Sequence, residues 1–524
     1  MGQVYDHIPQ SLIDWIQRQH VFWVATAPLA QTGHVNVSPK GLEGTFHIDG
    51  PNRVWYEDMT GSGCETIAHI RENGRITFHF VSLDTIPKIV RLYGKGLTYE
   101  FGTPEYERFI PISTRRAGSR AVIVSDIHRV STSCGWGVPI YKFQTHRTKL
   151  VKFSYTIEDR DLAFQAQSQD GEGKAENGLK AYWAKTNQFS IDNLPGLSSC
   201  LDTKVPLANG GPVTPVPEVQ STKPMKRFAP LKIEIADLMR VFFGFVLGIL
   251  VSFLLRGIEA LPHNILEWIL KQEMFWVATA PLAAHGHVNV SPKGVRNCFH
   301  IVDANKVWYE DLTGSGNETI SHLRENGRIT VMFNAFDGPP RITRLFGKGI
   351  VHEFGTPEYD ALIPECSRQP GSRAAIVVEI HKVSTSCGYT VPYYDFRSHR
   401  TMLLENMKRR EEADAAVAEN GTGDLESEKM AEKGLKAYWI NKNSTSLDGL
   451  PGLCVAPYTD KVPRSELDIQ LSRQGGGVAE QPVTTAVVEH VKSVYDDLKL
   501  IVAFGLGLII AMASVNVTSR MGVV

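Results

Sequence analysis

The sequence predicts a mainly β protein with flanking helices, built from two tandem copies of one domain. The run Phe-Trp-Val-Ala-Thr-Ala-Pro-Leu begins at Phe22 and again at Phe275, a shift of 253 residues (275 − 22). The run His-Val-Asn-Val-Ser-Pro-Lys-Gly returns from His34 to His287 with the same shift. Short segments rich in Val, Ile, Thr and aromatic residues, separated by turn residues, predict many strands and few helices in each copy. The 524 residues therefore suit two domains, each with a tail.

The overall composition argues against several classes of protein. The formal net charge is −1, so the chain has no excess of basic residues for binding nucleic acid. Seven cysteines without a Cys-x-x-Cys pair favour neither a disulfide framework nor a zinc ribbon. The first residues contain no apolar signal core. We expect an intracellular protein with reduced thiols.

The elements of the first repeat follow in order. A short amphipathic helix is predicted at about 10–19, with Leu12, Ile13 and Ile16 on one side. A second helix is predicted at 65–72, where Asn73-Gly74 would end it. The predicted strands are 22–27, 34–38, 53–57, 75–81, 89–98 and 121–130.

A mostly polar helical tail follows the strands of each repeat. In the first copy it runs through about 146–197, and its Gly-Leu-Lys-Ala-Tyr-Trp motif at Gly178 returns at Gly434. A Pro/Gly-rich segment then predicts a flexible linker. The predicted divisions are repeats at 1–205 and 260–463, linkers at 206–232 and 464–497, and apolar helices at 233–256 and 498–519.

The two apolar helices are candidates for membrane spans. The uncharged run 241–255 would extend about 22 Å as a helix, which is short of a ~30 Å hydrocarbon core unless Arg240 and Arg256 snorkel. The run 500–519 would reach about 30 Å. Small residues at four-residue spacing in both runs suit close helix contacts in lipid. We predict membrane association; the alternatives are a buried hairpin or an amphipathic docking helix.

A membrane span between the repeats would limit how they assemble. A single crossing by 241–255 would place the repeats on opposite sides and prevent them from pairing within one chain. Pairing requires that the run only dips into the membrane or docks on protein. Because more Lys and Arg residues precede this run than follow it, the first repeat is expected to be cytosolic.

Two motifs retained in both copies are candidates for binding an anion. Ser-Pro-Lys-Gly, with Ser38 and Lys40 in the first copy, offers a hydroxyl, a cation and a turn to a phosphate ester. The alternative is a surface hairpin with a solvated lysine. Thr-Gly-Ser-Gly at Thr60 precedes a predicted helix whose free N–H groups and dipole favour an anion. It is also an ordinary helix entry, capped by Glu65.

Other repeated residues allow two interpretations. Arg91 and Lys95 alternate on one strand, and form either a basic stripe beside an anion or a solvated face. The same alternatives apply to their copies Arg344 and Lys348, and to the pair Arg120 and Arg373. Cys134 and its copy Cys387 are either buried structural cysteines or reactive thiols near a cofactor.

Sequence spacing supports no metal site and no common catalytic motif. Five histidines occur in both copies, but no pair has His-Glu-x-x-His or His-x-His spacing. The sequence contains no nucleophile elbow, Walker loop or dinucleotide fingerprint. No catalytic residue is therefore predicted.

The ordered motifs in both copies resemble the pyridoxamine 5′-phosphate oxidase-related proteins, which are FMN-binding split-barrel proteins. The resemblance rests on the two runs above, on Thr-Gly-Ser-Gly-x-Glu-Thr-Ile, on Glu-Asn-Gly-Arg-Ile-Thr and on Thr-Ser-Cys-Gly. It implies two antiparallel Greek-key split barrels of six strands. It also implies that such barrels pair, as an intramolecular pseudo-dimer or a homodimer, with FMN at the interface.

The resemblance also shows where this chain departs from true pyridoxamine phosphate oxidases. Lys40 and Lys293 match the strand lysine of the family, but Val35 and Val288 stand where a phosphate-binding Arg is expected. Glu-Thr stands where the family has a basic pair for the FMN phosphate, and the oxidases' C-terminal, substrate-binding Arg/His segment has no counterpart here. These departures argue against oxidation of vitamin B6. The implied cofactor-binding residues are Ser38, Lys40, Thr60, Ser62, Thr66, Arg91, Ser291, Lys293, Thr313, Ser315, Thr319 and Arg344.

The resemblance favours an FMN-dependent oxidoreductase acting on an unknown small molecule, and the apolar runs predict its association with a membrane. Two alternatives remain: a non-catalytic flavin- or haem-binding module, and a structural pseudo-dimer without a cofactor. The repeats differ at positions near the motifs, because Cys64 becomes Asn317 and Trp136 becomes Tyr389. Two unequal sites are therefore expected.

Overall fold

A computed structural model describes residues 2–167, 175–203, 207, 261–420, 431–467 and 469. The predicted apolar helices at 233–256 and 498–519, and most of both predicted linkers, lie outside these residues. Within the described part of the chain, no helix is both long enough and apolar enough to cross a membrane.

The first repeat contains a curled antiparallel sheet with helices around it. Its strands are β1 (Val4–Tyr5), β2 (Phe22–Thr26), β3 (Asn36–Lys40), β4 (Phe46–Ile48), β5 (Arg53–Met59), β6 (Arg75–Val81), β7 (Ile89–Glu100), β8 (Ser119–Ser133) and β9 (Ile140–Thr145). Its helices are α1 (Gln10–Ile16), α2 (Glu65–Asn73), α3 (Pro104–Phe109), α4 (Lys149–Gln167), α5 (Leu179–Thr186) and α6 (Ser199–Asp202).

The second repeat has the same plan. Its strands are β10 (Phe275–Thr279), β11 (Asn289–Lys293), β12 (Phe299–Ile301), β13 (Lys306–Leu312), β14 (Arg328–Asn334), β15 (Ile342–Glu353), β16 (Ser372–Ser386) and β17 (Tyr393–Ser398). Its helices are α7 (His263–Ile269), α8 (Glu318–Asn326), α9 (Pro357–Leu362), α10 (Met402–Asn420) and α11 (Leu435–Asn443), with a 3₁₀ turn at Glu365–Ser367.

Both sheets have the same strand order, which is not the order along the chain. The order is β3-β2-β6-β7-β8-β5-β4 in the first repeat and β11-β10-β14-β15-β16-β13-β12 in the second, with antiparallel pairing throughout. The mainly β prediction is confirmed. The sequence did not indicate three short strands of the first repeat, β1, β4 and β9.

Helices α2 and α8 end where the sequence predicts, for a backbone reason. Gly74 and Gly327 follow them with φ of +76° and +75°, a left-handed conformation that favours glycine. An apolar core lies under each helix, between it and the sheet. In the first repeat, this packing holds the start of α2 beside the turn that begins at Thr60.

The two repeats also share a core of their own. The indole rings of Trp23 and Trp276 stack with their centroids 4.6 Å apart, and both side chains are fully buried. Around them lie valine and alanine side chains from β2, β3, β10 and β11. Strands β9 and β17, one from each repeat, form a separate two-stranded antiparallel sheet.

Polar contacts across the same interface are reciprocal. The guanidinium of Arg75 donates to the carbonyl of Pro281 at 2.8 Å, and that of Arg328 donates to the carbonyl of Pro28 at 2.9 Å. Buried donors and acceptors that pair in this way would each lose a partner if the repeats separated. The two repeats therefore contact each other within one chain.

Candidate functional site

Two pockets lie at the interface, and each is built from both repeats. The first pocket, of about 430 Å³, contains the Ser-Pro-Lys-Gly strand and Thr-Gly-Ser-Gly turn of the first repeat, and β15 and β16 of the second. The second pocket, of about 360 Å³, contains the equivalent strand and turn of the second repeat, and β7 and β8 of the first. Both volumes fall within the range of small-molecule sites.

The structure places all twelve predicted binding residues in these two pockets, but in a crossed arrangement. The first pocket is lined by Ser38, Lys40, Thr60, Ser62 and Thr66, together with Arg344. The second is lined by Ser291, Lys293, Thr313, Ser315 and Thr319, together with Arg91. Each arginine thus lies in the pocket of the opposite repeat.

Hydrogen bonds hold Arg344 in the first pocket. Its guanidinium donates to the carbonyl of Val37 at 2.8 Å and to the hydroxyl of Ser38 at 3.0 Å, both in the other repeat. It also donates to the hydroxyl of Ser386 at 3.1 Å. These three bonds use three of the five N–H donors of arginine, so two remain for a ligand.

Arg91 is held in the same way in the second pocket. It donates to the carbonyl of Val290 at 2.8 Å, and to the hydroxyls of Ser291 and Ser133 at 3.3 Å each. Arg91 and Arg344 therefore belong to a basic site, whereas Lys95 and Lys348 are exposed as the solvated-face interpretation predicts.

The predicted strand lysine is already paired. The ammonium of Lys40 donates to Asp58 at 2.7 Å, and the guanidinium of Arg120 donates to the second oxygen of the same carboxylate at 2.8 Å. Lys293, Asp311 and Arg373 form the same triad in the second repeat.

These triads decide whether Arg120, Arg373 and Lys40 are solvated surface residues, as the sequence had left open. Arg120 and Arg373 are buried, at 3% and 4% exposure, so the solvated-face interpretation is wrong for them. Although burial favours the neutral form of Asp58, Arg120 and Lys40 hold the pKa of this carboxyl below its usual value. Lys40 is accordingly not a solvated hairpin lysine.

The two predicted threonines have structural roles. The Thr60 hydroxyl donates to the carbonyl of Gly118 at 2.6 Å and accepts from the Trp183 indole at 2.8 Å. The Thr66 hydroxyl accepts from the side-chain amide of Asn36 at 3.1 Å. Ser62, by contrast, is exposed at the pocket, at the start of α2. The turn can therefore offer an anion its hydroxyl and backbone N–H groups.

A buried histidine lies behind each pocket. His69 and His322 are fully buried, and each ring Nδ1 lies 3.0 Å from a threonine hydroxyl, of Thr26 and Thr279 respectively. Burial lowers the pKa of both imidazoles to about 3. Both are therefore neutral near pH 7 and contribute no positive charge to the pockets.

The repeated cysteines line the pockets without being buried. Cys387 is exposed and lines the first pocket, while the half-exposed Cys134 lines the second. The interpretation as buried structural cysteines is therefore wrong. Partial desolvation raises the pKa of the Cys387 thiol, so this thiol remains protonated at neutral pH.

The two pockets differ in several lining residues. Lys442 lines the second pocket, where the first has Thr186. The first pocket has Tyr389 where the second has Trp136, and the exposed side chain of Phe189 lies at the first pocket alone. The second pocket is also bordered by the N-terminal residues 2–4.

A paired acidic residue differs as well. Glu57 of the first pocket forms an ion pair with Arg116. Its counterpart Glu310 instead accepts from the backbone N–H of Gln369 at 2.9 Å, and burial raises the pKa of its carboxyl. The second pocket therefore has one more lysine, and its Glu310 carboxyl has a pKa above the usual value for glutamate.

The sequence did not reveal the residues that hold the predicted binding residues in position. Asp58 and Asp311 lie in a Trp-Tyr-Glu-Asp run present in both copies, which was a usable signal. Trp183 and Trp439 stood in the noted tail motif, but nothing in that motif indicated their contacts with the turn threonines. Among the described residues, no cluster of three or more His, Cys, Asp or Glu side chains is arranged to hold a metal ion.

A curated relative identifies the family of this chain. No family model matches the chain. A curated protein of Aspergillus flavus, described as the pyridoxamine 5′-phosphate oxidase family protein ustO, is 41% identical over 216 residues, covering 38% of this chain and 80% of the relative.

Solved structures match single repeats of the chain. A variant of HupZ from Group A Streptococcus is 25% identical, with a TM-score of 0.20, and covers 24% of this chain and 97% of its own. A protein described as a putative pyridoxamine 5′-phosphate oxidase from Listeria innocua is 13% identical, with a TM-score of 0.18, and covers 23% of this chain and 93% of its own. On the identity and coverage of the Aspergillus relative, the chain is a tandemly duplicated member of the pyridoxamine 5′-phosphate oxidase family.

Proposed function

We propose that the protein binds flavin, as FMN, in the pockets between its repeats and is an FMN-dependent oxidoreductase acting on a small molecule. The crossed arginines are the observation that carries the proposal. Arg344 reaches Ser38 of the first repeat, and Arg91 reaches Ser291 of the second. Each pocket receives an arginine from the opposite repeat, as expected for a ligand held between two barrels, and the second pocket has Lys442 of its own repeat in addition.

The residues of the pockets suit the two ends of a flavin nucleotide. Arg344, Ser62 and the backbone N–H groups at the start of α2 would hold the phosphate of FMN in the first pocket. Apolar and aromatic side chains on other walls, including Met59, Phe346 and Tyr389, suit a flat ring. Glu65 also lines this pocket and opposes an anion there, so the phosphate site differs from a purely basic one.

The described residues suggest how the protein would support redox chemistry. Bound FMN would supply hydride or electron transfer, and the protein would bind and orient the reactants. The neutral, buried His69 and the ion-paired Asp58 keep the charges behind the first pocket fixed near pH 7. The absence of the oxidases' substrate-binding Arg/His segment favours a substrate other than a vitamin B6 phosphate.

The first test is to measure flavin binding by the full chain. Purified protein should show the visible absorption of an oxidised flavin, or should quench FMN fluorescence in a saturable titration. Denaturation should release the flavin. A colourless protein that ignores added FMN would refute the proposal, and an intense haem absorption band instead would favour haem binding.

The pairing of the repeats and the location of the protein in the cell are separate proposals. We infer that the two repeats act as a pair within one chain, because they share a buried core with reciprocal hydrogen bonds. Intracellular location and membrane association stay predictions from the sequence, since the apolar runs lie outside the described residues. Cell fractionation of the full chain and of a variant truncated before residue 498 would test the contribution of the second run.

A further inference from the structure

Two pairs of histidines face each other across the interface, one residue of each pair from each repeat. The ring Nε2 atoms of His34 and His381 are 3.1 Å apart. The ring Nε2 atoms of His287 and His128 are also 3.1 Å apart. The two pairs use equivalent positions, so the arrangement occurs twice in one chain.

A carboxylate fixes the orientation of one histidine in each pair. Asp192 lies 2.5 Å from Nδ1 of His34 and also accepts from its backbone N–H at 2.8 Å. Asp448 makes both contacts with His287 at the same distances. A carboxylate at Nδ1 retains the proton there, which leaves the Nε2 lone pair directed at the facing histidine.

Aromatic contacts also position these two rings. The ring of Phe346 packs edge-on against His34 with centroids 4.8 Å apart, and Tyr93 packs in the same way against His287 at 4.9 Å. Both aromatic residues belong to the opposite repeat. The carboxylate and the aromatic ring together leave little freedom for the imidazole to turn away.

We propose that each histidine pair binds a divalent first-row transition metal ion such as Zn²⁺, with the carboxylate as an outer-sphere partner. Two nitrogen ligands at about 2.05 Å from one ion, separated by 3.1 Å, subtend about 100° at the ion, which suits neighbouring ligands in a tetrahedral site. Imidazole nitrogens are suitable ligands for this class of ion.

The site would remain open to solvent. The side chain of His34 is 14% exposed, and His381 and His128 are exposed. Two protein ligands leave the other coordination positions to water or to a small anionic ligand. The bound ions would join the repeats, because the two ligands of each ion come from different repeats.

Metal binding can be tested independently of the proposed flavin. His34 lines the first pocket, whereas His381 and His128 line neither pocket, so the substitutions are made at these two residues. The full chain, prepared without a polyhistidine tag and stripped with chelator, would be titrated with Co²⁺ and Zn²⁺. We expect two equivalents per chain and an increase in the melting temperature with Zn²⁺.

Variants distinguish this site from chance binding to surface histidines. His381→Gln should reduce the stoichiometry to one, and His128→Gln/His381→Gln to zero, while the control His352→Gln keeps two. Asp192→Asn should weaken one of the two sites by roughly 10- to 100-fold. Absence of saturable binding up to millimolar metal, or two equivalents retained in the double variant, would overturn the proposal and identify the contacts as N–H···N hydrogen bonds. The melting curve with Zn²⁺ gives a second readout for any variant with altered folding.

Discussion

The two composite pockets have the same framework and different walls. In both, a buried aspartate joins a lysine and an arginine, and a neutral histidine lies behind. The differences are concentrated at the lining, where Lys442 replaces Thr186 and Trp136 replaces Tyr389. The duplication has thus kept the framework and the proposed phosphate contacts, and has varied some of the side chains on the pocket walls.

Structural residues and ligand-binding residues should differ in how their replacement affects the two repeats. A structural residue should have the same effect in both repeats when it is replaced. A residue that contacts the ligand should affect one pocket only, and the affected pocket identifies which repeat completes it. The following predictions test this distinction.

Loss of the buried arginine should cause the largest decrease in stability, and the decrease should be equal for the two repeats. Arg120→Met and Arg373→Met each leave a fully buried aspartate with only its lysine partner. We expect each variant to lose about 3–5 kcal/mol of stability, because an underpaired charge stays buried. Chemical denaturation followed by tryptophan fluorescence would measure this loss. A large difference between the two variants would show that the frameworks are not equivalent.

Acid should destabilise the protein through the buried histidines. His69 and His322 have pKa values of about 3 in the folded chain, below the usual value of 6.5, so only the unfolded chain takes up these protons as the pH falls from about 6.5. Their contribution to stability is complete above that pH and is lost toward pH 3. Each histidine should contribute a slope of about 1.4 kcal/mol per pH unit within this window.

The single variants His69→Gln and His322→Gln test this assignment. Each should flatten the dependence of unfolding free energy on pH, and by the same amount, since both histidines have the same environment. The absolute stability of each variant is a separate quantity, because a buried side chain has been changed. An unchanged slope in both variants would exclude these histidines as the cause.

Much of the fold could be predicted from the sequence because its signals are local. Segments rich in Val, Ile, Thr and aromatic residues indicated β2 and β6, and Asn73-Gly74 indicated the end of α2, where Gly74 has the expected positive φ. Strand β4 has only three residues and no fully buried side chain, so its pattern is too short to detect. Strand β9 pairs with β17 of the other repeat, which a local pattern does not show.

The site was only partly predictable because its contacts are not local. The motifs around Ser38 and Ser62 were found, since both hydroxyls stand in a repeated run. The location of Arg91 in the second pocket depends on how the repeats pack, and its contact with Ser291 spans 200 residues of chain. The histidine pairs escaped spacing rules for the same reason, because His34 and His381 come from different repeats.

Loss of a crossed arginine should affect only the pocket of the opposite repeat. Arg344→Ala should weaken FMN binding in the first pocket by roughly 10- to 100-fold, since a charge-assisted hydrogen bond contributes about 1.5–3 kcal/mol. Arg91→Ala should do the same in the second pocket. Fluorescence titration would resolve one weak and one unchanged site in each variant.

Double variants test which of the two pockets each arginine serves. Arg344→Ala combined with Ser62→Ala changes one pocket twice, so the second pocket should still bind normally. Arg91→Ala combined with Ser62→Ala should weaken both pockets. If the first combination impaired both sites, the crossed assignment would be wrong.

The smallest expected effect concerns the lysine found in only one pocket. Lys442 is exposed at the second pocket, and Thr186 stands at the equivalent position of the first. Lys442→Thr should weaken FMN binding in the second pocket by up to about five-fold, because an exposed charge contributes at most about 1 kcal/mol. The reciprocal variant Thr186→Lys should strengthen binding in the first pocket by a similar factor. Both changes should diminish in high salt, which screens an exposed charge more than a buried one. Titrations at low and high ionic strength would measure this dependence. If the reciprocal pair leaves both affinities unchanged at low salt, the difference between the pockets lies in their aromatic walls, Trp136 against Tyr389, and not in their charge.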